Sequence, residues 1–129
     1  MKHYLWNMLT NIKNGQLAKK SMIYQTRKKI CESLLKILWD EGYITGYKIS
    51  NIDKTKLQIF LKYNNNGDPA INSLNFLSKP SKRIYYSSKQ IWKLSSSKTF
   101  IILSTNKGLM TIEQCKKTNK GGEPLLIIN

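Results

Sequence analysis

The sequence predicts an α+β protein of two small domains, an N-terminal domain with the pattern α-β-α-β-β and a C-terminal domain that is mostly β with a short helix. Three observations favour this class. Apolar residues recur at helical spacing in two early segments, β-type segments occur in both halves, and a Ser-, Lys- and Pro-containing segment separates the halves. At 129 residues and 15.0 kDa, the chain suffices for one domain or two small ones.

Two amphipathic helices are predicted in the N-terminal domain, residues 1–76. The first has its apolar stripe at positions 5, 8, 9 and 12, and Asn14-Gly15 is a typical stop signal. The second spans about 26–41, with its stripe at positions 30, 34, 37 and 38, and Gly42 suits the position after a helix C-cap. Three cations crowd its first turn and oppose the helix dipole. Nearby phosphates would relieve that cost, although a solvated helix start explains the cations equally well.

Strands are predicted at 43–50 and 55–63 in the same domain. In the second of these, apolar residues at positions 57, 59, 61 and 63 face one side, which is typical of a half-buried strand. The turn sequence NNNGDP follows, and a third strand around 70–76 is expected to return to this sheet.

The C-terminal domain, residues 77–129, begins with the linker LSKPSK at about 77–82, where Pro80 disfavours a regular ladder. We expect strands at RIYYS, TFIIL, LMT and the terminal LLII, and a short KQIWKL segment after the first strand. Thr111 is the expected N-cap of a short helix that the KGG sequence ends.

The charge points to a polyanionic partner. Twenty-two basic residues stand against seven acidic ones, for a formal net charge of +15, and the lysines are dispersed along the whole chain. This pattern favours a folded body with a basic surface and nucleic acid as its partner, rather than a solvated surface without a ligand. The abundance of Lys, Asn, Ile and Tyr indicates an A/T-rich genome, such as an organelle's.

Signatures of enzymes, cofactors and membrane spans are not found in the sequence. Cys31, Cys115 and His3 cannot form a zinc set, and the two separate cysteines are interpreted as small buried apolar residues although a disulfide is possible in principle. No GxGxxG, Walker motif or catalytic set is present, and no apolar run approaches the ~18 residues of a transmembrane helix. We expect no enzyme activity, cofactor, metal, small-molecule substrate or membrane partner.

Two polar clusters stand out in the C-terminal domain. Ser104, Thr105, Asn106, Lys107 and Gly108 follow the TFIIL strand directly, and a second cluster follows at 121–123. Hydroxyl, amide and backbone N–H groups bond well to phosphate, ribose and base edges, and a carboxylate accepts from a base amino group or a 2′-hydroxyl. The first cluster taken alone is more typical of a hairpin turn, and the second also has a turn interpretation with Glu123 merely solvated.

Their order along the chain resembles a known pattern. STNKGLMT followed by GGE is similar to the C-terminal signature of the bacterial-type small-subunit ribosomal protein S-eight family, with Asn106 where Ser is usual. MLTNIKNGQ (8–16), LWDEGYI (38–44), LQIFLKY (57–63) and SKPSKRIYY (78–86) resemble further family segments in the same order. The resemblance thus covers nearly the whole chain.

This resemblance implies a structural protein that binds a helical junction in the central domain of small-subunit ribosomal RNA and touches neighbouring ribosomal proteins. It implies that the main contact is made by the C-terminal domain, through Ser104, Thr105, Asn106, Lys107, Gly108, Gly121, Gly122 and Glu123, with Arg83 and Tyr85 close by. The candidates for backbone contacts from the N-terminal domain are Lys13, Asn14, Lys28 and Lys29.

Alternatives from other functional classes are an RNA-processing enzyme and a free RNA-binding assembly factor or regulator. The codon bias and the lack of a transit peptide favour a mitochondrial small subunit, with the plastid or a bacterial cytoplasm as alternatives.

Overall fold

The computed structural model describes residues 2–76, 85–93 and 100–128, and it confirms the predicted α+β class. The chain divides into an N-terminal unit, Met1–Ala70, and a C-terminal unit, Ile71–Asn129. In chain order, the elements of the first unit are α1 (Lys2–Leu17), β1 (Met22–Thr26), α2 (Lys29–Asp40), β2 (Ile44–Ile49) and β3 (Lys56–Leu61). Those of the second are β4 (Leu74–Phe76), α3 (Ser88–Lys93), β5 (Phe100–Thr105), β6 (Gly108–Thr111), α4 (Ile112–Thr118) and β7 (Glu123–Ile128).

The N-terminal unit is a three-stranded antiparallel sheet, in the order β1-β3-β2, packed against α1 and α2. The predicted alternation of β3 is confirmed, since Leu57, Ile59 and Leu61 are buried and their neighbours are partly exposed. Burial of these side chains beneath the apolar stripes of the two helices supplies the driving force for this unit.

Two predictions for the N-terminal domain were wrong: where the second helix starts and which sheet the third strand joins. Thr26 belongs to β1 rather than to the second helix, because it pairs with Lys56 and delays the start of α2 until Lys29. The expected third strand does form at β4, but it pairs antiparallel with β7 of the C-terminal unit. β3 already has β1 on one side and β2 on the other, so β4 cannot pair with the strand that precedes it in the chain.

Local signals predicted the C-terminal end of α2 correctly but not that of α1. The stop predicted at Asn14-Gly15 was wrong, because α1 continues to Leu17. A Cβ on Gly15 would lie 2.7 Å from Cγ2 of Ile23, so this glycine permits close packing of helix and sheet. Gly42 does follow the C-cap of α2 as predicted, with φ +82°, and its N–H donates to the Trp39 carbonyl at 3.0 Å.

The C-terminal unit is a four-stranded antiparallel sheet in the order β4-β7-β5-β6. Its core is a cluster of buried side chains contributed by α3, β5 and α4: Ile91, Ile101, Leu103, Ile112 and Cys115. The predicted N-cap is confirmed: Thr111 and Gln114 form a reciprocal capping box at the start of α4. The predicted linker at 77–82 and Arg83 lie outside the described residues.

Cys31 and Cys115 are both free and buried, as the sequence predicted. Among the described helices, none has the length and apolar content needed to cross a membrane. Within the same residues, no group of three or more His, Cys, Asp or Glu side chains is arranged to hold a metal ion.

Candidate nucleic-acid interface

The first polar cluster forms the hairpin between β5 and β6. Thr105 pairs with Gly108, and the positive φ of this hairpin falls on Gly108, at +101°. The Thr105 hydroxyl stabilises the turn, because it donates to the Gly108 carbonyl at 2.9 Å and accepts from the Lys107 N–H at 3.1 Å. Asn106 and Lys107 are exposed at the tip. The turn interpretation and the binding interpretation are therefore compatible. Thr105 stabilises the turn, and the exposed Asn106 and Lys107 at its tip remain accessible to a ligand.

The two glycines of the second cluster are required by space. A Cβ on Gly121 would lie 2.6 Å from the Tyr86 carbonyl oxygen, and one on Gly122 would lie 2.7 Å from the Ser104 carbonyl oxygen. Real Cβ atoms are not found so close to backbone. Gly122 also exchanges two hydrogen bonds with Tyr86, at 2.8 and 2.9 Å. The glycines thus draw three backbone segments together.

The strand register brings the two clusters side by side. In the antiparallel pair β5–β7, Ser104 is the direct partner of Glu123, which is the first residue of β7 rather than a loop residue. Directly opposed residues in such a pair have Cβ atoms about 5 Å apart. Two residues that are nineteen positions apart in the sequence are therefore direct neighbours across the paired strands.

A pocket of ≈ 260 Å³ opens between these segments. It is lined by Tyr85, Ser104, Thr105, Asn106, Lys120, Gly121 and Gly122. Six of these seven are residues that the sequence predicted for the site. Lys107 and Gly108 lie in the adjoining hairpin, and Glu123 follows Gly122 in the chain.

Lys120 is the lining residue that sequence reasoning missed. Its only signal was a place within KGG, which was interpreted as a helix-ending sequence. The structure has both roles: the Lys120 N–H donates to the Cys115 carbonyl at 3.0 Å at the end of α4, and its side chain lines the pocket. The cation adds positive charge to a pocket otherwise lined by neutral residues.

The polar side chains of the pocket differ in whether they form hydrogen bonds within the protein. Within the described part of the chain, the Ser104 hydroxyl and the Asn106 amide make no hydrogen bond to protein, in contrast to the Thr105 hydroxyl. Ser104 is half-buried and Asn106 is exposed. Both can therefore donate to and accept from a ligand without breaking a contact of the fold.

The predicted N-terminal contacts lie outside this pocket, at the end of α1 and the start of α2. Lys13, Asn14 and Lys29 are exposed. Lys28 is half-buried, with its Nζ 4.8 Å from the ring centroid of Tyr4, and it precedes α2 without making a side-chain cap. These four residues present cations and an amide.

Comparison with known proteins decides the family. The family model described as "Ribosomal protein S8" matches residues 4–128. The chain belongs to the ribosomal protein S8 family. The resemblance on which the sequence analysis drew is thereby confirmed.

Curated relatives of this ribosomal protein S8 family member include proteins named "Small ribosomal subunit protein uS8". One from Pseudomonas fluorescens (strain Pf0-1) is 38% identical over 128 residues, which cover 99% of this chain and 98% of the relative. One from Buchnera aphidicola subsp. Acyrthosiphon pisum (strain 5A) is 34% identical over 122 residues, covering 95% and 93%. A Chlorella vulgaris protein, "Small ribosomal subunit protein uS8c", is 39% identical over 127 residues, covering 92% of each chain. The mitochondrial assignment stays a prediction.

Proposed function

We propose that this protein is a non-catalytic structural component of a small ribosomal subunit. It binds small-subunit ribosomal RNA directly, at a helical junction of the central domain, and supports subunit assembly and translation. Its other partners are neighbouring small-subunit ribosomal proteins. The observation that carries the proposal is the pocket of the C-terminal unit, where two polar clusters meet in a chain of net charge +15.

The chemistry of the pocket favours selective RNA binding over attraction by charge alone. Positive charge supplies sequence-independent affinity for phosphate. The neutral groups of Ser104 and Asn106, in contrast, match ribose 2′-hydroxyls and base edges, which distinguish one RNA site from another. Tyr85, 68% exposed at the rim, offers an aromatic face to an unstacked base.

Glu123 contributes an acceptor beside Ser104 in this proposal. A carboxylate repels phosphate, so its place on a basic protein's RNA-binding surface is explained by a hydrogen bond accepted from a base amino group or a 2′-hydroxyl. Its position opposite Ser104 allows both side chains to bind one nucleotide or two adjacent ones.

The N-terminal unit supplies phosphate contacts through Lys13, Asn14, Lys28 and Lys29. Cations at the start of α2 oppose the dipole of that helix, and bound phosphates would offset the resulting cost. In the C-terminal unit, Arg83 is proposed as a further contact on the family resemblance alone.

The decisive experiment compares Glu123→Gln with wild type for affinity to the isolated RNA junction at fixed salt. Removing one negative charge strengthens binding if Glu123 acts only through charge. Acceptance by both carboxylate oxygens predicts weaker binding, by roughly 1–3 kcal/mol, because Gln replaces one acceptor oxygen by an NH2 donor. Glu113→Gln is the matched control, because Glu113 is exposed in the first turn of α4 and carries the same charge. Thermal unfolding of both variants separates effects on binding from effects on the fold.

Tighter or unchanged binding of Glu123→Gln would remove Glu123 from the proposed RNA contacts. A second arm tests specificity itself: unrelated RNA of equal length should fail to displace the junction at moderate salt. Equal displacement would contradict a specific site and leave only electrostatic attraction.

We further propose that the subunit is mitochondrial, on the strength of the codon bias alone. Fractionation of the source cells tests this, with the expected result that the protein sediments with mitochondrial small subunits. Sedimentation with plastid or bacterial small subunits would contradict the mitochondrial assignment and leave the RNA-binding proposal unaffected.

A further inference from the structure

Helix α3 is held at its start by the same backbone that forms the pocket. Tyr86 bridges to Gly122, and the next residue, Ser87, caps α3 reciprocally with Gln90, through hydrogen bonds of 2.9 and 3.3 Å. Ile91 is fully buried in the C-terminal core. The direction of the following side chain is therefore set by a rigid support rather than by a free loop.

That following residue is Trp92, which is 57% exposed. Its indole N–H donates to Oδ1 of Asn119 at 3.2 Å. Asn119 adopts the left-handed conformation, φ +54°, directly before Lys120 and the two glycines of the pocket. Trp92 is thus connected to the pocket from two sides, through Tyr86 and through Asn119.

The two helices α3 and α4, one carrying Trp92 and the other Lys116, are basic. Nζ of Lys116 lies 5.9 Å from the centroid of the Trp92 rings, at the outer limit of a cation–π contact. Lys89 and Lys117 are exposed on α3 and α4, and Lys120 lines the pocket. Among the described residues of these two helices, the acidic side chain is that of Glu113, in the first turn of α4.

We propose that Trp92 is a stacking platform for an unpaired base of the RNA bound at the pocket. This inference rests on the proposed function and extends the binding surface from the pocket onto α3 and α4. A large aromatic side chain left exposed and fixed in orientation has lost its conformational freedom before binding, so stacking costs little further entropy. The lysines on the same two helices neutralise the phosphates that flank the stacked base. A protein surface with few acidic residues would leave these cations unpaired, so a nucleic acid is the favoured ligand.

The test measures the affinity of the full chain for the junction RNA at fixed salt with variants of two positions. Trp92→Leu keeps an apolar side chain but removes the aromatic face, and it should raise Kd about tenfold. Trp92→Phe retains a smaller aromatic face and should show a smaller loss. Asn119→Gly tolerates the left-handed backbone but removes the acceptor of the indole, and it should raise Kd about threefold through loss of orientation.

The matched control is Trp6→Leu, since Trp6 is 56% exposed on α1 of the other unit. Ultraviolet crosslinking followed by mass spectrometry supplies a second readout, with the expected adduct on Trp92. Thermal unfolding should be unchanged in Trp92→Phe, which guards against a folding defect.

Each outcome separates the two proposals. Specific binding by wild type together with equal affinity of Trp92→Leu overturns the stacking inference alone. Equal losses at Trp92 and Trp6 also overturn it, because exposed indoles would then contribute without regard to position. If Trp92→Leu keeps its RNA affinity but no longer sediments with small subunits, this face contacts a protein, and the stacking inference is overturned. Failure of wild type to bind the junction specifically removes the proposed function and this inference with it.

Discussion

The two units carry similar charge but use their polar groups differently. Residues 1–70 contain twelve basic and five acidic side chains, and residues 71–129 contain ten and two, which leaves net charges of +7 and +8. In the N-terminal unit the polar loop residues bond to their own loops: Oδ1 of Asn64 accepts from the N–H groups of Asn66 and Asp68, both at 2.9 Å. In the C-terminal unit, Ser104 and Asn106 line an open pocket instead.

The difference teaches that net charge does not distinguish a general basic surface from a site. Both units have the positive charge that a polyanion requires, but the neutral donors and acceptors that the proposal assigns to RNA selection lie at the pocket. In the N-terminal unit some cations are engaged by the unit itself, as Lys19 is: its Nζ donates to the Gly67 carbonyl at 2.6 Å. Five predictions test this contrast, from the largest expected effect to the smallest.

Gly122→Ala should lower the free energy of unfolding by about 3 kcal/mol and abolish specific RNA binding, because its Cβ meets the backbone oxygen of Ser104 at 2.7 Å. Gly15→Ala in the N-terminal unit has an equally short contact, but with a side-chain methyl of Ile23, and it gains about 1 kcal/mol of helix propensity. Its loss should be smaller, as measured by urea unfolding. Equal losses would show that backbone and side-chain contacts constrain these glycines alike.

Ser104→Ala and Thr105→Ala should separate binding from stability within the hairpin. Ser104→Ala should weaken binding to the junction by about 2 kcal/mol and leave unfolding unchanged. Thr105→Ala should lower the free energy of unfolding by about 1 kcal/mol, because its hydroxyl bonds to Gly108 and Lys107. Calorimetric titration and thermal unfolding of both variants measure this, and a stability loss at Ser104 would contradict the distinction.

The helix starts of the two units should respond in opposite ways. Thr111→Ala removes the capping box of α4 and should lower the free energy of unfolding by about 1 kcal/mol, with little effect on RNA affinity. Lys28 occupies the N-cap position of α2 without capping it, so Lys28→Ala should cost less stability and more RNA affinity. Chemical unfolding combined with filter binding measures both quantities.

Lys29→Ala should weaken binding by the same factor on junction RNA and on unrelated RNA. Lys29 is exposed at the first position of α2 and is expected to contact phosphate, so its removal should reduce the salt slope of binding by about 1. Lys36→Ala, on the exposed face of the same helix, is the control for a change in net charge. A loss confined to junction RNA would show that α2 contributes to selectivity.

The smallest effect concerns pH, and it should be alike in the two units. Burial raises the pKa of both the Cys31 and the Cys115 thiol above the ordinary value of 9.0. Because the folded state holds these protons more tightly, the thiols' contribution to stability is complete below the ordinary value. It is lost as pH rises from that value through the raised pKa of the folded state. Urea unfolding from pH 8 to 10 should show a weaker decline in Cys31→Ala than in wild type, and identical curves would contradict burial as the cause.

The sequence by itself determined the features that depend on neighbours along the chain. The alternation at Leu57, Ile59 and Leu61 predicted β3, Thr111 predicted the start of α4, and Gly42 predicted the end of α2, because period, capping and positive φ are local properties. The family followed from the order of several short motifs, which is likewise readable without coordinates.

Tertiary structure decided what depends on partners distant in sequence. Local signals could not assign β4 to β7, since the two strands are about fifty residues apart in the sequence and their pairing depends on the tertiary fold. They ended α1 too early at Gly15, since a helix continues through glycine where a sheet packs closely against it. The pocket itself, with Lys120 in its lining and Glu123 opposite Ser104, exists only because antiparallel register and two glycines without Cβ atoms bring three segments of backbone into contact.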